Sequence, residues 1–500
     1  MRRSVHRQSR PADAIPSPRG PHSRTTRPYD PIPADQADRI VEAALTLLSE
    51  IGLRFEPGTE ADALLAAAGC RVGEGVVRMP ASVVRAALAS CAKSTRLWNR
   101  DGTKGIDIDR HHTWFMPGMT CIKVFDPVTG EPRDSTGDDL ATIIRLADGL
   151  PNIDAVCVAC KDVPNSTLAG EIGEFFCMME NTTKPLEFLG EWTASLEAAI
   201  AMAAALRGGR DRLAERPYFL HIVTPLPLSY AQGHSEQIIL AARAGIPVSV
   251  GTLAIGGAST PITMAGTVLQ CLATDFAGMV LGQAARRGAF CIGSTNPLFM
   301  EPATGGIGNL SQTMLAEQMI CQVRRQLDLP SLTGLGGDAR ARRFGEDAVF
   351  EIATMMGQIY HTRPATCDYL GSLDQGITFS LHALLLCDDH AGLLRMLWAG
   401  ADISDETLAL DVLRETGLTG SVLGHAHTAR HCRTGHWASR YFAGNEPLST
   451  TDLPDETLFQ RIDRDLRARL AAPGPDPLPP ELAAQLRAIQ LRFARTGDAA

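Results

Sequence analysis

Between residues 113 and 400 the chain repeats one unit: a short apolar run, then a stretch whose apolar residues recur at helical spacing. The runs fall at 113–116, 155–160, 186–189, 218–223, 247–253, 289–292, 331–335 and 365–370. The stretches fall at about 138–148, 167–181, 195–207, 231–244, 262–286, 311–327, 346–361 and 380–398. The clearest unit spans Gly256 to Gly293. A Gly-Gly turn follows an apolar run, Pro261 sits near a helix start where its missing N–H costs nothing, and Arg286-Arg287-Gly288 ends the helix before the next run. Strand, turn, helix, strand is a parallel βαβ unit. Eight of them predict an α/β fold closed into a (β/α)8 TIM barrel, with an open doubly wound sheet as the alternative. The glycine turn lacks both the G-x-G-x-x-G spacing and a P-loop lysine, which argues against a phosphate cradle.

The flanks differ from this centre. Residues 1–30 are rich in Arg, Pro and Ser and poor in large apolar residues, the composition of a disordered basic arm. Residues 31–112 are expected to form an N-terminal helical extension, with helices near 36–51, 60–67 and 80–92, a short strand at 76–79 and a polar hairpin at 97–109. Residues 401–470 are expected to form a C-terminal helical cap, and 471–500 a proline-rich linker with a terminal helix. The net charge of −9 argues against a nucleic-acid partner. No apolar run approaches the roughly 18 residues of a membrane span. Twelve cysteines scattered through so long a chain suggest reduced thiols and a cytoplasmic protein. Cys157 and Cys160 form a C-x-x-C, but on a strand their side chains point to opposite faces.

In a barrel the chemistry sits just past the strand C-termini. His221, Asp338 and Asp368 stand there and are the candidate catalytic residues. They are also the ligand set of an alternative reading, a metal-dependent barrel lyase or hydrolase; no H-E-x-x-H or Cys/His cluster supports a metal, so none is assigned. Trp192, Tyr230, Phe299 and Tyr369 are candidates for an aromatic cage around a quaternary ammonium. Arg340, Gly371 and Ser372 complete the substrate-binding candidates, Arg340 as a donor to a carboxylate.

Four segments carry a further signal. The run Gly257 to Gly266 followed by Gln270, the segment Ala43 to Phe55, the stretch Asp126 to Asp148 with Thr136 and Asp139, and Gly424 to Thr428 together resemble the trimethylamine methyltransferase family of corrinoid-dependent enzymes. The resemblance runs from about residue 35 to about 445. It implies the same barrel with helical extensions, and a methyl transfer from an amine to Co(I) of a corrinoid (cobalamin) carried by a partner protein, with no cofactor held tightly by this chain. Founding members bear pyrrolysine at the end of a late barrel strand. The matching region here, Leu370 to Gly376, holds ordinary residues, so the chain resembles the pyrrolysine-lacking branch that includes glycine betaine methyltransferases. The expected substrate is therefore a quaternary amine of the betaine kind. A non-catalytic betaine-binding barrel is the remaining alternative. The amine, the corrinoid partner and any homo-oligomer are not named by the sequence.

Overall fold

The computed structural model describes residues 27–127, 129–308, 310–332, 334–432, 437–442 and 456–497. The expected basic arm lies almost wholly outside these residues. The central strands pair in parallel around a closed ring. Thr366–Leu370 lies beside Trp114–Pro117. Leu186–Leu189, Phe219–Val223, Val248–Val250 and Cys291–Gly293 follow in order. The 155–160 segment bridges the first and third strands through single parallel bridges, Cys121 to Cys160 and Val156 to Leu186. Cys157 interrupts its ladder by donating its thiol to the carbonyls of Pro117 and Gly118. Burial pushes the thiols of Cys157 and Cys160 well above their usual range, and all twelve cysteines are free.

In the seventh segment the described residues 331–332 and 334–335 form no regular strand. Its Ser331 and Gly334 carbonyls accept from the N–H groups of Ala365 and Asp368. On its other side, side chains close the ring. Arg324 donates to Ser331 Oγ at 3.0 Å and is ion-paired with Asp275, which in turn accepts from the Thr295 hydroxyl just past the sixth strand. The architecture is thus the expected eight-unit α/β barrel, with one seam made by side chains.

Helices cover the outside, and most lie within a residue or two of the expected bounds: Gly137–Asp148, Leu168–Asn181, Thr193–Arg207, Gln232–Ala244, Met264–Ala285, Leu310–Gln326, Glu346–Thr362 and Leu381–Ala399. Local chemistry starts several of them. Thr136 and Asp139 form a reciprocal capping box, and Asp139 also holds Arg133 at 2.7 Å. Met264–Ala285 is long and apolar enough by length and composition to cross a membrane. Here it is a core helix. Its inner face packs on the barrel, and N-terminal helices Ala34–Thr46, Glu60–Ala67 and Ala81–Ser90 cover its outer face. A helix buried on all sides is apolar on all sides.

The N-terminal extension also supplies a strand, Leu53–Phe55, paired in parallel with Ser229–Tyr230 beyond the fourth barrel strand. At the other end, buried Arg395 on the last barrel helix pairs with Asp154 and reaches Asn152, while Arg440 pairs with Asp388 and Asp389. Among the described residues of the expected cap are the helices Asp405–Leu408, Leu410–Thr416, Ala426–His431 and Leu458–Leu470.

Candidate active site

A cavity of about 270 Å³ opens at the C-terminal ends of the barrel strands. Alternation along each strand decides what faces it. Glu187 and Leu189 point in from the third strand, Ile222 and Thr224 from the fourth, Ser249 and Thr252 from the fifth, Asn296 from beyond the sixth, and Asp368 and Tyr369 from the eighth. Leu332 and Met119 add apolar wall.

Two buried carboxylates dominate the floor. Among the described residues, Glu187 Oε2 and Asp368 Oδ1 have no hydrogen-bond partner, nor does the buried hydroxyl of Thr252. Burial pushes Asp368 up to about 7, with the charge of Glu317 adding to it. Burial pushes Glu187 well above the usual carboxylate range, and the Asp368 charge raises it further. Two like charges in an apolar barrel titrate as a pair. A third carboxylate, Glu191, lines the cavity on the loop after the third strand. That loop is held from behind. Buried Glu171 accepts from the backbone N–H of Glu191 at 2.9 Å and from the Ser195 hydroxyl, while Lys161 sits 2.7 Å from Glu174.

Tyr369 lies at a break in the strand pairing between Cys367 and Leu370 and has φ of 64°. A bulky residue in left-handed conformation is strained, and such strain persists where surrounding packing over-determines it. The bulge turns the ring toward the cavity, over Gly376.

The structure separates the residues that the sequence grouped. Asp368 and Tyr369 line the mouth. His221 does not: it points outward to Gln237, its Nε2 3.0 Å from Oε1, and burial lowers its pKa to about 4, which keeps the ring neutral. Gln237 then donates to the Glu191 carbonyl at 3.1 Å, so His221 buttresses the mouth from outside. Asp338 is half-buried near Tyr369, desolvation pushes it up to about 7, and it does not line the cavity. A shared metal site of His221, Asp338 and Asp368 is therefore not assembled. Among the described residues the His/Cys/Asp/Glu group close enough for shared ligation is Glu406, His427 and His431, in the cap.

The aromatic cage is not assembled either. Tyr230 belongs to the N-terminal interface. Its ring stacks on Phe55 at 4.7 Å and its hydroxyl donates to the Thr274 carbonyl at 2.7 Å. Phe299 is buried against Gly256. Trp192 is 41% exposed and outside the cavity wall. Arg340 is occupied by Glu351, at 3.1 Å, and by the Gly308 carbonyl. Gly371 has φ of 92° and lies against Phe379, where a Cβ would come within 2.9 Å of the ring; Ser372 is buried 3.5 Å from the Cys121 thiol.

Sequence reasoning passed over Glu187. Its signal was present: a lone carboxylate inside the apolar run Leu186-Glu187-Phe188-Leu189, at an inward position. A charge there is buried unless the strand is misread.

Relatives of the chain give this geometry a context. The family model described as trimethylamine methyltransferase (MTTB) matches residues 1–496. A relative from Desulfitobacterium hafniense (strain DSM 10664 / DCB-2), the trimethylamine methyltransferase MttB, is 30% identical over 457 residues, covering 89% of this chain and 90% of the relative. The glycine betaine methyltransferase of Desulfitobacterium hafniense (strain Y51) is 25% identical over 476 residues, covering 92% of this chain and 96% of that protein. Among solved structures, a crystal structure of the hydroxylamine MtmB complex matches with a TM-score of 0.49 at 11% identity, covering 93% of this chain and 88% of that one. The match over nearly the whole length establishes that this chain belongs to the trimethylamine methyltransferase family, and is a methyltransferase.

Proposed function

We propose that the protein moves a methyl group from a quaternary amine to the Co(I) of a corrinoid carried by a separate partner protein, and that it does so in the cytoplasm. The observation that carries the reading is the cavity: three carboxylates and a tyrosine ring line it, with no Lys, Arg or His among the described lining residues. Co(I) supplies a strong nucleophile toward a methyl carbon. A quaternary nitrogen already holds its positive charge, so it leaves as a neutral tertiary amine without needing a proton.

The chain's own residues then bind, orient and desolvate. Glu187 and Asp368 draw the ammonium to the floor, the Tyr369 ring offers a face to its methyl groups, and Leu189, Ile222 and Leu332 exclude water. The mouth also fits a docked partner. Exposed apolar side chains stand near it: Trp192 directly after Glu191, Ile122 after the Met119–Cys121 loop, Ile377 hydrogen-bonded through its carbonyl to Ile122, and Leu253 on the cavity rim. A flat macrocycle presented by another protein needs such a water-excluding rim.

The test is a methyl-transfer assay with reduced corrinoid protein, followed by cobalt absorbance. Turnover of at least one quaternary amine in a panel of choline, carnitine, glycine betaine and proline betaine is expected, and turnover of trimethylamine with none of these would overturn the reading. A second measurement separates rim from floor. Trp192→Ala is expected to leave the KM for the amine within about threefold, as surface substitutions do, while raising the KM for the corrinoid protein at least about fivefold. A large rise in the amine KM instead would restore Trp192 to the substrate site.

A further inference from the structure

We infer that the amine accepted here carries no carboxylate: its substrate class is a quaternary ammonium with a neutral, hydrogen-bonding tail, of the choline kind. This deepens the reading of the mouth as an amine site and rests on it.

The argument is a census of charge. A betaine places a carboxylate close to its ammonium, and that carboxylate needs donors. Among the described residues that line the cavity none is cationic, while Glu187, Glu191 and Asp368 are all acidic. The cations nearby in sequence or space are engaged elsewhere. Arg340 is spent on Glu351 and the Gly308 carbonyl, outside the cavity wall. Lys161 lies behind the loop on Glu174 and 3.8 Å from Glu171. A betaine whose ammonium met the floor carboxylates would bring its own carboxylate within reach of like charge, in a site where little water screens it. A hydroxyl tail meets the opposite situation. The buried Thr252 hydroxyl has no partner among the described residues, and Thr224 and Ser249 add neutral hydroxyls to the same wall. An unpaired buried hydroxyl favours a ligand group that both donates and accepts.

The experiment is direct binding to the wild-type chain, by calorimetry, of three quaternary ammonium compounds: choline, glycine betaine and glycine betaine methyl ester. The ester keeps the betaine's ammonium and carbonyl, adds one methyl group and removes the carboxylate charge. Choline and the ester are expected to bind, and the betaine to bind at least about 30-fold more weakly than its ester, a modest figure for like-charge opposition. Betaine binding as tightly as the ester, or more tightly, would overturn the inference and leave methyl transfer from an amine standing. Failure of all three compounds to bind would overturn the amine site itself, and this inference with it. Because binding is read without cobalt, loss of methyl transfer alone is a separate result.

Discussion

Replacing Glu187 with Gln and Asp368 with Asn in one chain is expected to weaken amine binding about 100-fold or more while raising the melting temperature at pH 7.5. Both effects follow from one fact: the two carboxylates are buried together without hydrogen-bond partners for Oε2 and Oδ1. Close charge pairs couple by about 1.5–7 kcal/mol, and each 1.4 kcal/mol is about tenfold in affinity. Removing the pair's attractive charge from an ammonium site therefore costs roughly two decades. The stability change has the opposite sign. Burial raises Asp368 to about 7 and Glu187 well above its usual range. Through Asp368 the folded chain therefore holds more protons than the unfolded chain between about pH 4 and 7, and Glu187 acts in the same direction. The stability associated with their protonated forms is fully present below that window and is lost as pH rises through it. Neutral isosteres abolish the loss, so the variant gains at pH 7.5 and gains little near pH 4. The charged floor is a functional feature held at a cost to the fold. The same linkage predicts that cation affinity falls as pH drops below about 7, because a proton then competes for the pair. A double variant that binds choline as the wild type does, or that melts lower at pH 7.5, would refute this account of the floor.

Much of the barrel was legible because strand and helix differ in the period of their apolar residues, and each period survives in a local window. The strand Leu186–Leu189 and the helix Glu60–Ala67 lie where their patterns place them. What escaped was non-local. Tyr230 follows the fourth strand in sequence, and so was expected at the mouth. Its partner strand is Leu53–Phe55, far earlier in the chain, and that pairing turns the ring away onto Phe55. Arg340 reads as a free cation in sequence, yet Glu351 captures it from the following helix. His221 and Asp368 sit on the fourth and eighth strands, but one points out and the other in, and a frame error of a single residue reverses that distinction. The segment 331–335 carries a strand's apolar content without a strand's ladder on both sides, because Arg324 and Asp275 replace backbone bonds there.

That replacement makes a strong second prediction. Arg324→Met is expected to destabilise the protein by about 3–5 kcal/mol, since it leaves the Asp275 carboxylate buried and unpaired. Adding Asp275→Asn is expected to recover most of that loss, because a neutral amide beside an apolar side chain no longer carries an orphaned charge. Packing around the pair is close: a Cβ at Gly293 would come within 2.5 Å of an Asp275 oxygen, so the sixth strand reaches the helix only through glycine there. The cluster is also wired to the site. Asp275 accepts from the Thr295 hydroxyl, which accepts from the Thr252 N–H at 3.1 Å, and Ser294 and Asn296 on either side of Thr295 line the mouth. The double variant should therefore regain stability yet keep a raised amine KM, as the Thr252 and Asn296 walls lose their anchor. Chemical denaturation of the single and double variants measures the first part, and steady-state kinetics the second. If the double variant proves as unstable as Arg324→Met alone, the seam is held by Arg324 packing rather than by its charge. If both variants keep the wild-type KM, the anchor does not shape the mouth.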